Sequence, residues 1–470
     1  MKNNIKSSFT KTLLAVSIVS ASTATLASSF QLIEQSASGQ GSAFAGAAAL
    51  GEDSTTVYFN PAAMTRLSGS QIVIAGHIIS PNATFTNNGS SDALGSPGSL
   101  TGLNADTGDP AFVPNLYYTT ELSDGVHFGL GVNVPFGLST EYDEGWVGRY
   151  HALRSEISSI NINPALAWKA TDKLSVGFGL SIQYLQLELT NNIDSYGACI
   201  NLAGSSQGKF SGADCAAAGL TAGFGVASQD SRVKLDGDSL EIGWNAGILY
   251  DVNDKTRIGV AYRSEIKHNV SGDATYTLDP RLQPFADALT AGSGFNVLQS
   301  TPLEATADLP ESFSLSLVHD FSSKWTALFD WTWTSWSNLD RVVIRQSGGI
   351  PGQEPTLDLA YANTNRYSAG VNYHYNNRLV YRGGLAYDET PIRSPEQTSA
   401  RIPGNDRTWL SLGAGYDISS AWTVDVGYSH LFISDTAINN NGGSSSSKAT
   451  LKGTYESSVD ILSVQANFNF

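Results

Sequence analysis

Ser457-Ser-Val-Asp-Ile-Leu-Ser-Val-Gln-Ala-Asn-Phe-Asn-Phe470 decides the fold. Leu462, Val464, Ala466, Phe468 and Phe470 fall on one face of an extended chain, and Ser463, Gln465, Asn467 and Asn469 on the other, because successive strand side chains point to opposite sides. A strand that is apolar outside, polar inside and stops at Phe reads as the closing strand of an outer-membrane β-barrel. The expected fold is all-β and transmembrane: a 14-stranded antiparallel barrel plugged by a small amino-terminal segment.

The same period recurs upstream. Leu174, Val176, Phe178, Leu180, Ile182 and Tyr184 alternate with Ser175, Gly177, Gly179, Ser181 and Gln183, and Trp325, Phe329, Trp331 and Trp333 alternate with Thr326, Asp330, Thr332 and Thr334. From Gly69 onward six short polar turns appear, at Ser123-Asp124-Gly125, Thr171-Asp172-Lys173, Asn253-Asp254-Lys255, Ser322-Ser323-Lys324, Asn376-Asn377 and Ser419-Ser420. Between them lie seven long Gly/Ser/Asn/Asp-rich connections, near residues 87–110, 139–152, 191–232, 277–302, 348–365, 391–405 and 437–453. Seven long loops and six short turns join fourteen strands, an even number with short periplasmic and long outer connections. The Trp and Tyr at strand ends are expected to form interfacial girdles. A soluble sandwich would alternate in the same way around a core, but it would lack this asymmetry of connections.

The beginning of the chain agrees with export. Lys2, Lys6 and Lys11 precede an apolar core from Leu13 to Val19, and Thr25-Leu26-Ala27 offers small residues for cleavage. Residues 1–27 are expected to be a signal peptide removed after Ala27. No later stretch reaches the roughly 18 consecutive apolar residues of a membrane helix. Spanning backbone must satisfy its hydrogen bonds internally, so a closed barrel remains. The low hydrophobic fraction of 41% is then expected.

Removal of the leader leaves 24 of the 27 basic residues against 43 acidic ones, a formal charge of −19. That acidity speaks against nucleic acid as a partner, since Lys and Arg would have to neutralise its phosphates. It fits acidic outer loops facing lipopolysaccharide through divalent cations, or serving solubility alone. Cys199 and Cys215 are the two cysteines, both in one loop, and in an exported protein they are expected to form a structural disulfide.

Residues 28–68 do not alternate. Ser36-Ala-Ser-Gly-Gln-Gly-Ser-Ala-Phe-Ala-Gly46 is small and Gly-rich, Ala47 to Asp53 reads as a short helix and its end, and Asn60-Pro61-Ala62 as a turn or helix start. About forty residues of so little bulk cannot form a domain, but they can fill a barrel too wide for its own side chains. Residues 28–68 are expected to be the plug and 69–470 the barrel. Ser29-Phe30-Gln31-Leu32, Gly39-x-Gly41-x-Ala43-x-x-Gly46 and Asn60-Pro61-Ala62 resemble the hatch of the FadL family of outer-membrane long-chain fatty acid transporters. Gly243 to Tyr250, Tyr262 to Lys267, Leu309-Pro-Glu311, Thr334-Ser-Trp-Ser337 and Ile402 to Trp409 resemble family segments in the same order. The resemblance covers essentially the whole mature chain. It implies a monomeric fourteen-stranded barrel in the bacterial outer membrane that passes hydrophobic compounds by passive diffusion. Capture would occur at the outer loops, a lumenal pocket would be floored by the amino terminus, and exit would be sideways at a kink in the third strand.

Phe30 matches the family's amino-terminal Phe, a displaceable stopper on a terminus with little to hold it. Asn60, Pro61 and Ala62 match the hatch signature and are expected to be structural. In the third expected strand, Asn133-Val-Pro135-Phe136-Gly137-Leu138 should lose ladder hydrogen bonds, because Pro cannot donate and Gly weakens pairing. Family members kink at the Gly-Leu that Gly137-Leu138 matches. The family's basic residues for the substrate carboxylate fall on Leu189-Thr190-Asn191 and Leu357-Asp358-Leu359 here, and neither is kept. Arg341 and Arg345 are the alternatives, although alternation from Trp333 points both outward unless a bulge intervenes. This departure leaves two substrates open: a fatty acid held differently, or a neutral hydrophobic or aromatic compound.

Chemistry is not indicated. His77, His127, His151, His268, His319, His374 and His430 are scattered without metal-ligand spacing, and no Gly-x-Ser-x-Gly occurs. No enzyme activity, cofactor or metal is expected. A hydrophilic porin would line its lumen with charge, whereas the inward positions read here are largely Gly, Ser, Thr and Gln.

Overall fold

The structure is a computed structural model that describes residues 29–92, 100, 102–220, 225–352, 354–442 and 449–470. The expected signal peptide lies outside the described residues, as do parts of four long connections.

Fourteen antiparallel strands close on themselves. Their principal segments are Ser70–Asn87, Ala111–Ser123, Val126–Asn133, Arg154–Lys169, Leu174–Ile193, Ser231–Asn253, Thr256–Arg263, Ser312–Asp320, Trp325–Thr334, Thr364–His374, Leu379–Asp388, Arg407–Asp417, Trp422–Ile433 and Leu451–Asn469. Several continue past a break toward the outer side, the third as Gly137–Glu141 and the ninth as Arg341–Gln346. Closure is made by the first and last strands in continuous register from Gln71 opposite Asn469 to Asn87 opposite Gly453. Ser70 and Phe470 exchange backbone hydrogen bonds of 3.1 and 2.9 Å at that seam.

Alternation decides inside from outside as the sequence implies. Val464 is 51% exposed while its neighbour Gln465 is 0%, so the apolar set faces lipid and the polar set the lumen. Trp168, Trp325, Trp422, Tyr250, Tyr375 and Tyr416 stand exposed beside the short turns, where amphipathic rings suit the interface. Among the described residues, no helix is long and apolar enough to cross a membrane.

Residues 29–68 lie within this ring as helices Ala37–Gly41, Ala47–Leu50 and Thr56–Phe59 and a 3-10 turn Pro61–Arg66. Ser36 caps the first by accepting from Gly39 N at 3.0 Å, and Asn60 caps the 3-10 turn by accepting from Ala62 N at 3.0 Å, each satisfying an orphan donor. The wall gives way to this backbone through glycine. A Cβ at Gly259 would lie 2.0 Å from Ala48 O, and one at Gly384 would lie 2.2 Å from the Ser42 carbonyl. The small residues of the amino-terminal segment thus face matching glycines on the strands.

On the outer side, helices Ser195–Ser205, Gly212–Ala217 and Gln283–Ser293 form a cap with its own apolar cluster around Leu202, Leu220, Leu282 and Leu289. Cys199 and Cys215 are joined there.

Candidate functional site

The third strand is where the wall's ladder fails. It pairs with the second strand from Ser123–Val126 up to Leu116–Val132 and then stops. Val134 to Phe136 interrupt it, and Gly137–Glu141 resumes against the fourth strand alone, from Gly137 opposite Ser158 to Glu141 opposite Arg154. The second strand continues to Ala111 paired with the first strand only. Pro135 has no N–H to offer, and Phe136 N donates instead to Ser159 Oγ at 3.0 Å.

The amino-terminal segment supplies the missing partner. Gly137 N donates to Phe30 O at 2.9 Å, and Leu32 N donates to Pro135 O at 2.8 Å, which sets Gln31 opposite Phe136 in an antiparallel bridge. Gln35 Nε2 donates to Val134 O at 3.0 Å, and Asn115 Nδ2 on the second strand donates to Glu34 O at 3.0 Å. Residues 30–35 therefore sit against the break on both of its edges. Asn133, buried beside it, accepts from Asn161 Nδ2 at 3.1 Å.

Phe30 projects into an apolar chamber. Its ring lies 5.8 Å from Phe136 and 5.2 Å from Trp336, which in turn meets Tyr361 at 6.0 Å. Leu138, Leu185, Val270, Leu309, Leu359 and Ile402 complete the cluster. Phe30 is 3% exposed, so the ring fills the space.

Beneath it lies a cavity of about 90 Å³ lined by Gln31, Ile33, Phe44, Phe59, Arg263, Asp330, Arg366, Asp388 and Trp409, among others. It mixes aromatic surface with charge. Arg263 stacks on Tyr58 at 4.3 Å, and Arg366 on Trp409 at 5.1 Å. Arg263 also donates to Ser181 Oγ at 3.2 Å and Tyr58 O at 2.9 Å, and Arg366 Nη2 donates to Ala43 O at 2.9 Å.

Asn60, Pro61 and Ala62 sit lower, on the body of the segment. Asn60 Nδ2 donates to Ala48 O at 2.6 Å and to Ile248 O of the sixth strand at 3.0 Å. That geometry fastens the segment to the wall, and of the three only Pro61 touches the cavity.

Arg341 and Arg345, the candidates for carboxylate recognition, lie away from the cavity. Both are exposed on the outer continuation of the ninth strand, Arg341 is ion-paired with Asp358, and neither lines the cavity. No bulge turns them inward; the short 3-10 turn Trp336–Asn338 separates them from Thr334 and buries Trp336 instead. The lumenal charges escaped the reading of inward positions as Gly, Ser, Thr and Gln. The signal was present: Asp330 alternates with Trp331, and Arg407 lies inside the Ile402–Trp409 segment. Trp336 likewise stands in Thr334-Ser-Trp-Ser337.

Comparison with known proteins bears on this geometry. The family model described as outer membrane protein transport protein (OMPP1/FadL/TodX) matches residues 18–470. A long-chain fatty acid transport protein of Escherichia coli O6:H1 is 29% identical over 431 residues, spanning 91% of this chain and 92% of that protein. Outer membrane protein P1 of Haemophilus influenzae is 30% identical over 435 residues, 90% of each. The crystal structure of a Pseudomonas aeruginosa FadL homologue superimposes with a TM-score of 0.83 at 24% identity, over 94% of this chain and 100% of that one. The Ralstonia pickettii toluene transporter TbuX gives 0.63 at 18%, over 93% and 100%.

Barrel, interior segment and relatives together define a transport channel for hydrophobic substrates in the bacterial outer membrane. The chain belongs to the OMPP1/FadL/TodX family of outer membrane transport proteins.

Proposed function

We propose that this protein takes up long-chain fatty acids by passive diffusion, with residues 28–68 acting as a hatch whose leading end closes both the lumenal chamber and the break in the third strand. The observation that carries the reading is the pair of hydrogen bonds from Phe30–Leu32 to Pro135–Gly137. One short segment fills the apolar chamber with Phe30 and also satisfies the backbone left open at the break. Its withdrawal vacates the chamber and exposes a gap between the second and third strands, so entry and sideways exit open together. Asn133, Pro135, Phe136 and Gly137 border that exit. Arg345, exposed at the outer side, belongs to capture, and Arg341 reaches that role only by leaving Asp358.

A fatty acid fits better than a neutral aromatic because guanidinium groups stand beside apolar surface in the cavity. The full-length relatives named for long-chain fatty acid transport support the same choice. The test is displacement of a fluorescent fatty acid from the detergent-purified protein, with uptake into proteoliposomes. Micromolar displacement by oleate supports the reading; displacement by toluene or xylene with none by oleate moves it to neutral hydrocarbons.

A further inference from the structure

The sixth and seventh strands part where the wall should be continuous. They pair from Asn253–Thr256 up to Asn245–Arg263, and again from Asp238–Ser271 up to Arg232–Thr277. Between these blocks residues 239–244 stand opposite residues 264–270, six against seven, where the seventh strand passes from Arg263 to its outer continuation Ile266–Thr277. The neighbouring seams hold: the sixth strand stays in register with the fifth from Tyr250–Leu174 to Ser231–Ile193, and the seventh with the eighth at Arg263–Ser312 and Ile266–Leu309. At the lower end of the gap Ser264 N donates to Trp244 O, and Trp244 N to Ser264 Oγ, each at 2.9 Å. Above it a side chain stands in for backbone, since Asn269 N and Nδ2 donate to Glu241 Oε1 at 3.5 and 3.1 Å. A carboxylate between two strands holds them wider than the about 4.8 Å of a ladder. Lipid cannot satisfy the backbone groups that such a gap frees, and irregularities of this kind gather at functional places in a sheet.

Two side chains fill the gap. Ile266 is buried in the niche of Gly243, where a Cβ would lie 2.6 Å from its Cγ1. Glu241 departs from the alternation: Ser239 and Gly243 on either side of it are buried, yet Glu241 is partly exposed and bonds to the exposed Asn269. Behind the gap is the chamber. Val270 lies in the unpaired stretch, Leu309 opposite Ile266 and Leu185 opposite Ser239, and all three pack in the cluster that holds Phe30. In front is lipid, since Leu240 and Ile242 are exposed; Trp244 and Tyr262, with ring centroids 5.0 Å apart, mark the outer interface at its lower end. Glu241 pairs with Gln183, Gln183 with Asn161 and Asn161 with Asn133, so this gap and the break in the third strand lie on one row of paired residues, with the chamber between them. Lys267, just outside, is ion-paired with Glu265 at 3.7 Å and Asp308 at 4.0 Å, whereas Glu241 is held by a neutral amide and carries its charge at the mouth. A carboxylate at an opening repels anions and leaves uncharged molecules unaffected.

We propose that the gap between the sixth and seventh strands is a second sideways opening of this barrel, an inlet through which uncharged hydrophobic molecules dissolved in the outer leaflet reach the chamber of Phe30. Ile266 is its displaceable filling, and Glu241 turns anions away. The inference rests on the uptake reading above for the use of the chamber, and it adds a route and a selectivity. Acids enter by way of the outer loops, whereas neutral molecules have the wall as well.

The experiment reads entry to the chamber at Phe30→Cys, by its rate of maleimide labelling in the full mature chain reconstituted in vesicles of lipopolysaccharide and phospholipid. Two reagents are compared, an uncharged alkyl maleimide and its carboxylate-terminated analogue. The uncharged reagent is expected to react faster. Adding Glu241→Trp, which fills the mouth, should slow it several-fold and leave the anionic reagent as it was. Adding Glu241→Gln instead is expected to speed the anionic reagent about fivefold, the scale of one like-charge contact at about 4 Å in water. Heat-modifiable migration checks that each barrel is folded, and Glu241→Gln, nearly isosteric, keeps the test available if Glu241→Trp does not fold. Unchanged labelling by the uncharged reagent in Glu241→Trp, or an anionic rate that Glu241→Gln does not alter, overturns the inlet while leaving fatty acid uptake through the outer loops standing. Failure of both reagents to reach position 30 in the reporter itself overturns the uptake reading.

Discussion

The body of the amino-terminal segment proposed as the hatch, residues 37–66, and its leading end, residues 29–35, are held inside the same barrel by different forces. The body is fastened by polar contacts to the wall. Ala37 N donates to Gln465 Oε1 at 2.9 Å, Gln40 Nε2 to Ile461 O at 3.1 Å, and Ala48 N to Ser316 Oγ at 3.0 Å. Asp53 accepts from Ser38 Oγ and Gln465 Nε2, each at 2.8 Å. Arg382, paired with Asp425 at 2.6 Å, reaches Glu52 at 3.4 Å. The leading end has aromatic packing and a few bonds, and its wall bonds go to the two edges of the break in the third strand. An apolar ligand can replace apolar contacts at little cost, whereas a buried polar group that loses its partner costs about 1–3 kcal/mol. On the proposed uptake reading this difference separates what stays from what moves, with the body as a fixed floor and the end as the exchangeable part.

The comparison breaks most completely if the leading end never has to leave. Gln31 and Phe136 oppose one another as a non-hydrogen-bonded pair, a geometry that sets Cα atoms about 4.5 Å apart and suits a disulfide. Gln31→Cys with Phe136→Cys is expected to abolish uptake when oxidised and to recover it under dithiothreitol. The native chain, treated in the same way, controls for Cys199–Cys215. Undiminished uptake by the fully cross-linked protein would show that the route bypasses this segment.

Phe30→Ala addresses the packing directly. Removal of a buried Phe costs about 3–5 kcal/mol, and here the loss should fall on the closed position of the leading end rather than on the barrel. Ion conductance across planar bilayers is expected to rise, with the thermal midpoint of the barrel unchanged. A lowered midpoint with unchanged conductance would make Phe30 a structural anchor instead.

Asn60→Ala tests the other half of the contrast. It removes three hydrogen bonds, to Ala48 O, to Ile248 O and from Ala62 N, at about 1 kcal/mol each, or about 3 kcal/mol in all. Protease access to the body of the hatch should increase from the periplasmic side. If only the leading end loosens, measured as labelling at position 30, the division between fixed floor and moving end is drawn in the wrong place.

What the sequence disclosed follows from which features are periodic. The strand from Leu451 to Asn469 and the small-residue stretch from Ser36 to Gly46 were legible because each obeys a local rule, alternation in one and absence of bulk in the other. The break at Pro135 was legible for a similar reason, since a residue without an N–H announces itself. The partner that fills the break was not, because Phe30 and Gly137 lie more than a hundred positions apart and their bond runs through backbone atoms that every residue has. Arg366 and Arg407 were hidden differently. Nothing in a single strand distinguishes a lumenal arginine that is satisfied from one that lacks acceptors; only the assembled interior shows it. Arg341 and Arg345 drew attention as basic residues near the expected outer loop, and both stand there, exposed and away from the cavity.

The smallest effect is expected farthest from the hatch. Cys199 and Cys215 close a loop of 16 residues of separation, a constraint worth roughly 3 kcal/mol in the chain-entropy model. That stabilisation belongs to the outer helical cap, whose apolar cluster around Leu202, Leu220, Leu282 and Leu289 is separate from the clusters of the chamber and the hatch. Cys199→Ser with Cys215→Ser should therefore speed proteolysis within residues 195–220 while leaving the barrel's thermal midpoint and Phe30→Cys labelling as they were. If labelling at position 30 also accelerates, the cap bears on the leading end through the intervening loops, and the moving part of this channel is larger than the segment from Ser29 to Gln35.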